Sequence, residues 1–148
     1  MKKRLKIGSR FLVLSAQLQR ETKGVNSNLK DGLHCLLWDF DEPDAQRVTL
    51  SLTALQHEFS LPSIYVFDSG NGQGYHAYCL HRMAWADAVR VIASTPHVDL
   101  DWLGFCLIRR YLTLRFQDKP KRKIDYLATL IGKEKATVDW GDLRSFSH

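Results

Sequence analysis

Apolar and polar residues alternate in two different rhythms along this chain, and the changes of rhythm divide it into elements. Phe11-Leu12-Val13-Leu14 make Arg10 to Ala16 a first strand, after a basic, loose arm over residues 1 to 9. Gln17 to Asp31 is polar, contains Gly24 and two asparagines, and has no periodicity, which predicts a loop. Leu33 to Phe40 is an apolar run of strand length and predicts a buried strand. Ala45, Val48, Leu52, Leu55 and Phe59 recur at steps of three and four, as on one face of a helix. Pro43 suits that helix's first turn, with Asp41 or Glu42 as its cap.

Ile64 to Phe67 and Tyr75 to Leu80 read as the arms of a hairpin, joined by a long turn over Asp68 to Gly74, with His76, Tyr78 and Leu80 on one face. A second helix carries Trp85, Ala88, Val89 and Ile92 as its stripe and stops at Thr95-Pro96. Trp102, Phe105, Cys106 and Arg109 predict a third, short helix. Tyr111 to Phe116 is a strand with Thr113 and Arg115 on one face, Gln117 to Lys123 a basic turn, and Leu127 to Ile131 a short helix. Strand, strand, helix, strand, strand, helix, helix, strand is an α+β order with an antiparallel hairpin, close to a split βαβ sheet with extra elements.

Two signatures stand out against this pattern. Trp38-Asp39-Phe40-Asp41-Glu42 closes the apolar strand, and alternation points Asp39 and Asp41 to the same side. Two carboxylates on one face repel unless a cation lies between them, and hard ions such as Mg²⁺ or Mn²⁺ take oxygen ligands of this kind. Ser69-Gly70-Asn71-Gly72-Gln73-Gly74-Tyr75-His76 is a glycine-rich turn running into a strand, and glycines let backbone amides come close to an anion. Each signature has a plainer reading. The acids also suit a strand end with Glu42 as a cap, the turn suits an ordinary long hairpin, and a lone His is most often a satisfied core residue. Their order, with one helix between them, makes the combination more specific.

A chain of 148 residues with 45% apolar and 25% charged side chains predicts one globular domain able to bury its own core. The net charge of +5 fits a nucleotide or nucleic-acid binder without requiring one. Cys35, Cys79 and Cys106 lie apart in apolar segments and form no CxxC, so buried reduced thiols are expected rather than a zinc ribbon or a disulfide framework. No signal peptide, membrane span, repeat or linker is recognisable, and a cytoplasmic protein without a membrane partner is expected.

The two signatures together resemble the catalytic core of the archaeo-eukaryotic primase superfamily, which includes primase-polymerases, plasmid and viral replication primases and the polymerase domains of bacterial end-joining ligases. Asp39-Phe40-Asp41 looks like the family's acidic motif, and Ser69 to Tyr78 like its Ser-x-His-type motif; the similarity spans about Leu33 to Lys119. The resemblance implies an RRM-like antiparallel sheet with flanking helices, and a metal-dependent nucleotidyltransferase that starts or extends primers on single-stranded DNA. It implies a third acid, Asp99 with Asp101 as the alternative. Asp99 also suits a helix cap. Asp39, Asp41 and Asp99 would hold Mg²⁺ or Mn²⁺. Ser69, the amides of Gly70, Gly72 and Gly74, and His76 would hold the nucleoside triphosphate, with Arg115 and Lys119 as anion contacts. Lys121, Arg122 and Lys123 would follow the template backbone, with Lys2 to Lys6 as the other candidate path.

The chain departs from many relatives in being shorter, in a turn richer in glycine, and in having no zinc-binding insertion, helicase domain or Walker motif. That implies a minimal core served by a separate helicase or replication initiator, or a part of something larger. A non-catalytic nucleic-acid-binding module of the same fold is the main alternative. A replication-initiator nickase ranks below both, because His76 and His81 are five residues apart and would face opposite ways.

Overall fold

The computed structural model describes residues 2–7, 10–15, 23–116 and 123–147, the first two segments as backbone alone. Lys2–Ile7 (β1) and Arg10–Ser15 (β2) pair as an antiparallel hairpin, so the expected loose arm is a strand. Two further sheets, both antiparallel, hold the rest. Lys23–Asn26 (β3), Thr113–Arg115 (β7) and Arg144–Ser147 (β9) form one, in the order β7-β3-β9. His34–Phe40 (β4), Ile64–Asp68 (β5), Tyr75–Met83 (β6) and Asp125–Leu130 (β8) form the other, in the order β4-β6-β5-β8. Ala45–Glu58 (α1) joins β4 to β5, and β6 lies between those two strands, antiparallel to both. Trp85–Ala93 (α2) and Leu100–Arg109 (α3) then lead to β7. The fold is α+β with antiparallel sheets and three α-helices among the described residues.

Both faces of the larger sheet contribute to the core, but they carry different residues. Residues directly opposite in an antiparallel pair share a face. Register therefore groups Leu36, Cys79 and Ile64, then Trp38, Ala77 and Val66, on one side. All six are buried, and the Trp38 indole donates to Thr95 Oγ1, just beyond α2, at 2.9 Å. The other side carries Leu37, Tyr78 and Tyr65, then Asp39, His76 and Phe67. Apart from Leu37, this side carries polar and aromatic groups, towards the smaller sheet and α3.

Several elements depart from the sequence expectation. Asp44, not Asp41 or Glu42, caps α1: its carboxylate accepts from the amides of Gln46 and Arg47. Val91 rather than Val89 completes the buried stripe of α2, and Phe105 on α3 is 63% exposed while Leu103 and Cys106 face the core. β3 lies inside the expected loop, and β8 replaces the helix expected over 127 to 131. Cys35, Cys79 and Cys106 are buried free thiols, as expected, and burial pushes Cys35 and Cys79 up to about 12. No helix among the described residues is long and apolar enough to cross a membrane.

Ser27 ties the two sheets together. It is fully buried; its amide donates to Leu112 O, its hydroxyl accepts from Leu112 N at 2.8 Å, and its carbonyl accepts from Cys35 N at 3.0 Å. The same hydroxyl lies 3.0 Å from His34 Nδ1. Ser27→Ala removes the hydroxyl partner of a buried amide, so chemical denaturation should show a loss of about 1–3 kcal/mol. A variant as stable as wild type would show that Leu112 N finds another acceptor.

Candidate active site

A cavity of about 700 Å³ lies between the two sheets and is closed on a third side by α3. Asp39 and Asp41 reach it from the end of β4, His76 from β6, and Ser69, Gln73 and Gly74 from the β5–β6 turn. Thr113, Leu114 and Arg115 of β7 and Phe146 of β9 form the opposite wall. Asp99, Trp102 and Arg109 come from α3, and their spacing of three and then seven puts them on one helical face.

Each position has a local cause. Asp39 and His76 are direct cross-strand partners, and His76 Nε2 stands 3.6 Å from Asp39 Oδ1. The imidazole is nearly buried, whereas the carboxylate opens to the cavity. Asp99 is the N-cap of α3, with Oδ1 accepting from the amides of Asp101 and Trp102 at 2.9 and 3.0 Å. Its own amide donates to the Asp39 carbonyl at 2.8 Å, which fixes the start of α3 against the end of β4. The Trp102 indole donates to Thr113 O at 2.8 Å and joins α3 to β7. Asp101, the alternative third acid, is exposed beside Leu100 and Gly104 on the outer side of α3.

The glycine turn is built differently from its sequence reading. Asp68 folds back over it, its carboxylate accepting from Gly70 N at 2.8 Å and Gly72 N at 2.7 Å. Asn71 and Gly72 both take positive φ, at 57° and 68°. The amides of Gly70 and Gly72 thus serve the turn itself, and neither residue borders the cavity. Gly74 does: a Cβ there would meet Phe40 O at 2.7 Å and Ser69 Oγ at 3.0 Å. Asp68 was legible in principle, because an Asp two residues before a Gly is a common start for a side-chain-closed turn.

Arg115 lies on the cavity wall, and Arg109, read in sequence only as part of a helical stripe, joins it. Lys123 is exposed and pairs with Asp125 at 3.2 Å. Lys119, Lys121 and Arg122 lie outside the described residues, as do the side chains of Lys2 to Lys6. Burial raises the Tyr78 hydroxyl's pKa; the nearby Asp39 charge adds to this and Arg115 opposes it. Tyr78 therefore feels both the acidic and the basic wall.

Among the described residues, no three His, Cys, Asp or Glu side chains stand close enough together to hold one metal ion as they are arranged. The donor set itself suits a hard divalent cation: Asp39, Asp41 and Asp99 bring carboxylate oxygens to one solvent-open cavity, and Asp99 has a second oxygen beyond the one its cap uses. Carboxylates facing guanidinium groups allow a cation and a polyanion to sit side by side. The chain matches no protein-family model, no curated protein and no solved structure.

Proposed function

We propose that this cavity is the active site of a template-directed nucleotidyltransferase, a primase or primase-polymerase core acting on nucleoside triphosphates and single-stranded DNA. One observation carries the reading: Asp39 and Asp41 share a cavity with Asp99, His76, Arg109 and Arg115, all distant from them in sequence. The strand order supports it, since β4 and β5 joined by α1 and separated by β6 make a split βαβ unit.

Asp39, Asp41 and Asp99 would hold Mg²⁺ or Mn²⁺. When bound, the ions lower the pKa of an attacking 3′-hydroxyl and stabilise the leaving pyrophosphate. Arg115 and Arg109 neutralise triphosphate oxygens opposite the acids. The Ser69 hydroxyl and the Gly74 backbone contact phosphate where the turn meets β4, with Gly70 and Gly72 supporting that turn rather than the ligand. His76 would offer its Nε2 hydrogen to phosphate, sharing it with the Asp39 carboxylate 3.6 Å away. Positioning and charge neutralisation carry most of phosphoryl transfer, so no covalent nucleophile is required. The basic stretch of Lys121, Arg122 and Lys123 follows the template backbone, with Lys119 beside Arg115 at the triphosphate, and a separate helicase or replication initiator delivers the template.

The test is incubation with single-stranded DNA and labelled NTPs or dNTPs, with and without primer, in Mg²⁺ or Mn²⁺. Incorporation that stops when the metal is chelated is expected. Strand binding without incorporation under every condition would favour the non-catalytic nucleic-acid-binding module.

A further inference from the structure

Beside the acidic cavity, a second groove of about 540 Å³ runs between the same two sheets. Its walls include Phe67 and Tyr78 from the larger sheet's site face, Tyr126 from β8, Phe116 just beyond β7, and Trp140 from the short 3₁₀ turn Trp140–Asp142. Phe67 meets Tyr78 and Tyr126 edge to face, with centroids 5.5 and 5.8 Å apart. Trp140 packs at 5.2 Å from Tyr65 and 5.8 Å from Tyr78. No described residue lining the groove is charged. Folding leaves three of these rings open: Phe116 is 45%, Trp140 48% and Tyr126 61% exposed. Large rings gathered in a concave surface and left uncovered mark a binding site.

The groove continues the acidic cavity. Arg115 lines one and Phe116 the other; Phe146 lines one and Ser145 the other. His76 and Tyr78 project from the same face of β6, two residues and so about 7 Å apart. A charged end for phosphates and a neutral aromatic end for a flat ring, a sugar's length apart, have the layout of one nucleotide.

We propose that this groove seats the base of the nucleoside triphosphate whose phosphates lie against Arg115 and His76. The inference rests on the triphosphate reading of the acidic cavity. Stacking on aromatic rings tolerates every base because each presents a π-face. The polar side-chain groups on the described lining are few, the hydroxyls of Tyr78, Tyr126 and Ser145 and the Trp140 indole N–H, and leave little to tell one base from another. The site therefore accepts all four nucleotides and leaves choice to a template.

Calorimetric titration in Mg²⁺ of wild type, Trp140→Ala, Tyr126→Ala and Trp140→Phe tests this. The ligands are the four nucleoside triphosphates, inorganic tripolyphosphate and a short single-stranded DNA. Wild type should bind every nucleoside triphosphate more tightly than tripolyphosphate, with little difference among bases. Each alanine variant should lose affinity for nucleotides by about tenfold or more and keep its affinity for tripolyphosphate, while Trp140→Phe retains most of it. Equal affinity of wild type for nucleotides and tripolyphosphate, or alanine variants that lose nothing, would overturn the base site and leave the triphosphate site standing. Binding of neither ligand would overturn both. Alanine variants that weaken only DNA binding would assign the groove to a strand and overturn the proposal.

Discussion

Asp39→Asn should abolish nucleotide incorporation while the protein stays folded, and Asp41→Asn should do the same. Each change removes one negative charge and keeps the side chain's shape. If these carboxylates neutralise charge in the transition state, the rate should fall by about 10²–10³-fold or more. The bond that ties Asp39 to α3 does not use its charge. Asp39 anchors α3 through its backbone carbonyl, which accepts from Asp99 N at 2.8 Å, and asparagine keeps that bond. Asp41 is exposed beyond the end of β4. Thermal denaturation should therefore find both variants close to wild type. Asp99→Asn belongs in the same series because asparagine caps helices about as well as aspartate. It retains the helix start and tests only the charge, and Asp101→Asn, on the outer side of α3, should be silent. Undiminished incorporation by Asp39→Asn or Asp41→Asn would end the metal-dependent reading of the cavity.

Gly74→Ala and Gly104→Ala should change stability in opposite directions. At Gly74 the added methyl meets Phe40 O at 2.7 Å, and that oxygen is backbone at the end of the strand that presents Asp39 and Asp41. Either the turn or the strand end must move. Overpacking of this kind costs about 1–3 kcal/mol, and it separates Ser69 from the acids, so incorporation should fall with stability. At Gly104, inside α3, a Cβ meets nothing within 4 Å. Alanine there gains helix propensity and restricts the unfolded chain, for about 0.4–1 kcal/mol of added stability. Urea titration of the two variants gives the comparison. A Gly74→Ala protein with wild-type stability and activity would show that the turn and β4 need not touch.

Much of the larger sheet was legible because its residues carry their own pattern. The apolar run ending in Trp38, the three-and-four spacing of α1 and the turn between β5 and β6 each specify an element without help from distant chain. Asp39 and Asp41 were readable as a pair for the same reason. Asp99 could be read both as a cap and as an acid for the site; it caps α3 and borders the cavity, because its cap bond starts α3 where the amide of the same residue reaches β4.

The smaller sheet was not legible. Lys23-Gly24-Val25-Asn26 has no strand pattern of its own, yet β3 is the central strand between β7 and β9. Gly24, which reads as a loop residue, is there because a Cβ would collide with Leu114 O and the Phe146 ring. A central strand so short takes its identity from ladder partners about ninety and one hundred and twenty residues away, Thr113 opposite Asn26 and Arg144 opposite the same residue. β8 is the same case at the edge of the larger sheet: a short apolar run suits helix or strand, and pairing with β5 decides it.

The sequence by itself determined the strands β4 to β6 and the three α-helices, that two acids share a face at a strand end, and that the thiols are buried, because those features depend on neighbours within a turn or a strand's length. Only the tertiary structure decided the rest. It bonded the amides of Gly70 and Gly72 to Asp68, brought Arg109 and Arg115 opposite the acids, put Asp99 rather than Asp101 on the cavity, and opened an aromatic groove beside it. These depend on which sheet faces which and on backbone bonds between residues far apart, such as Asp99 N to Asp39 O. Local periodicity carries no information about such contacts, because each is chosen by the packing of the whole chain.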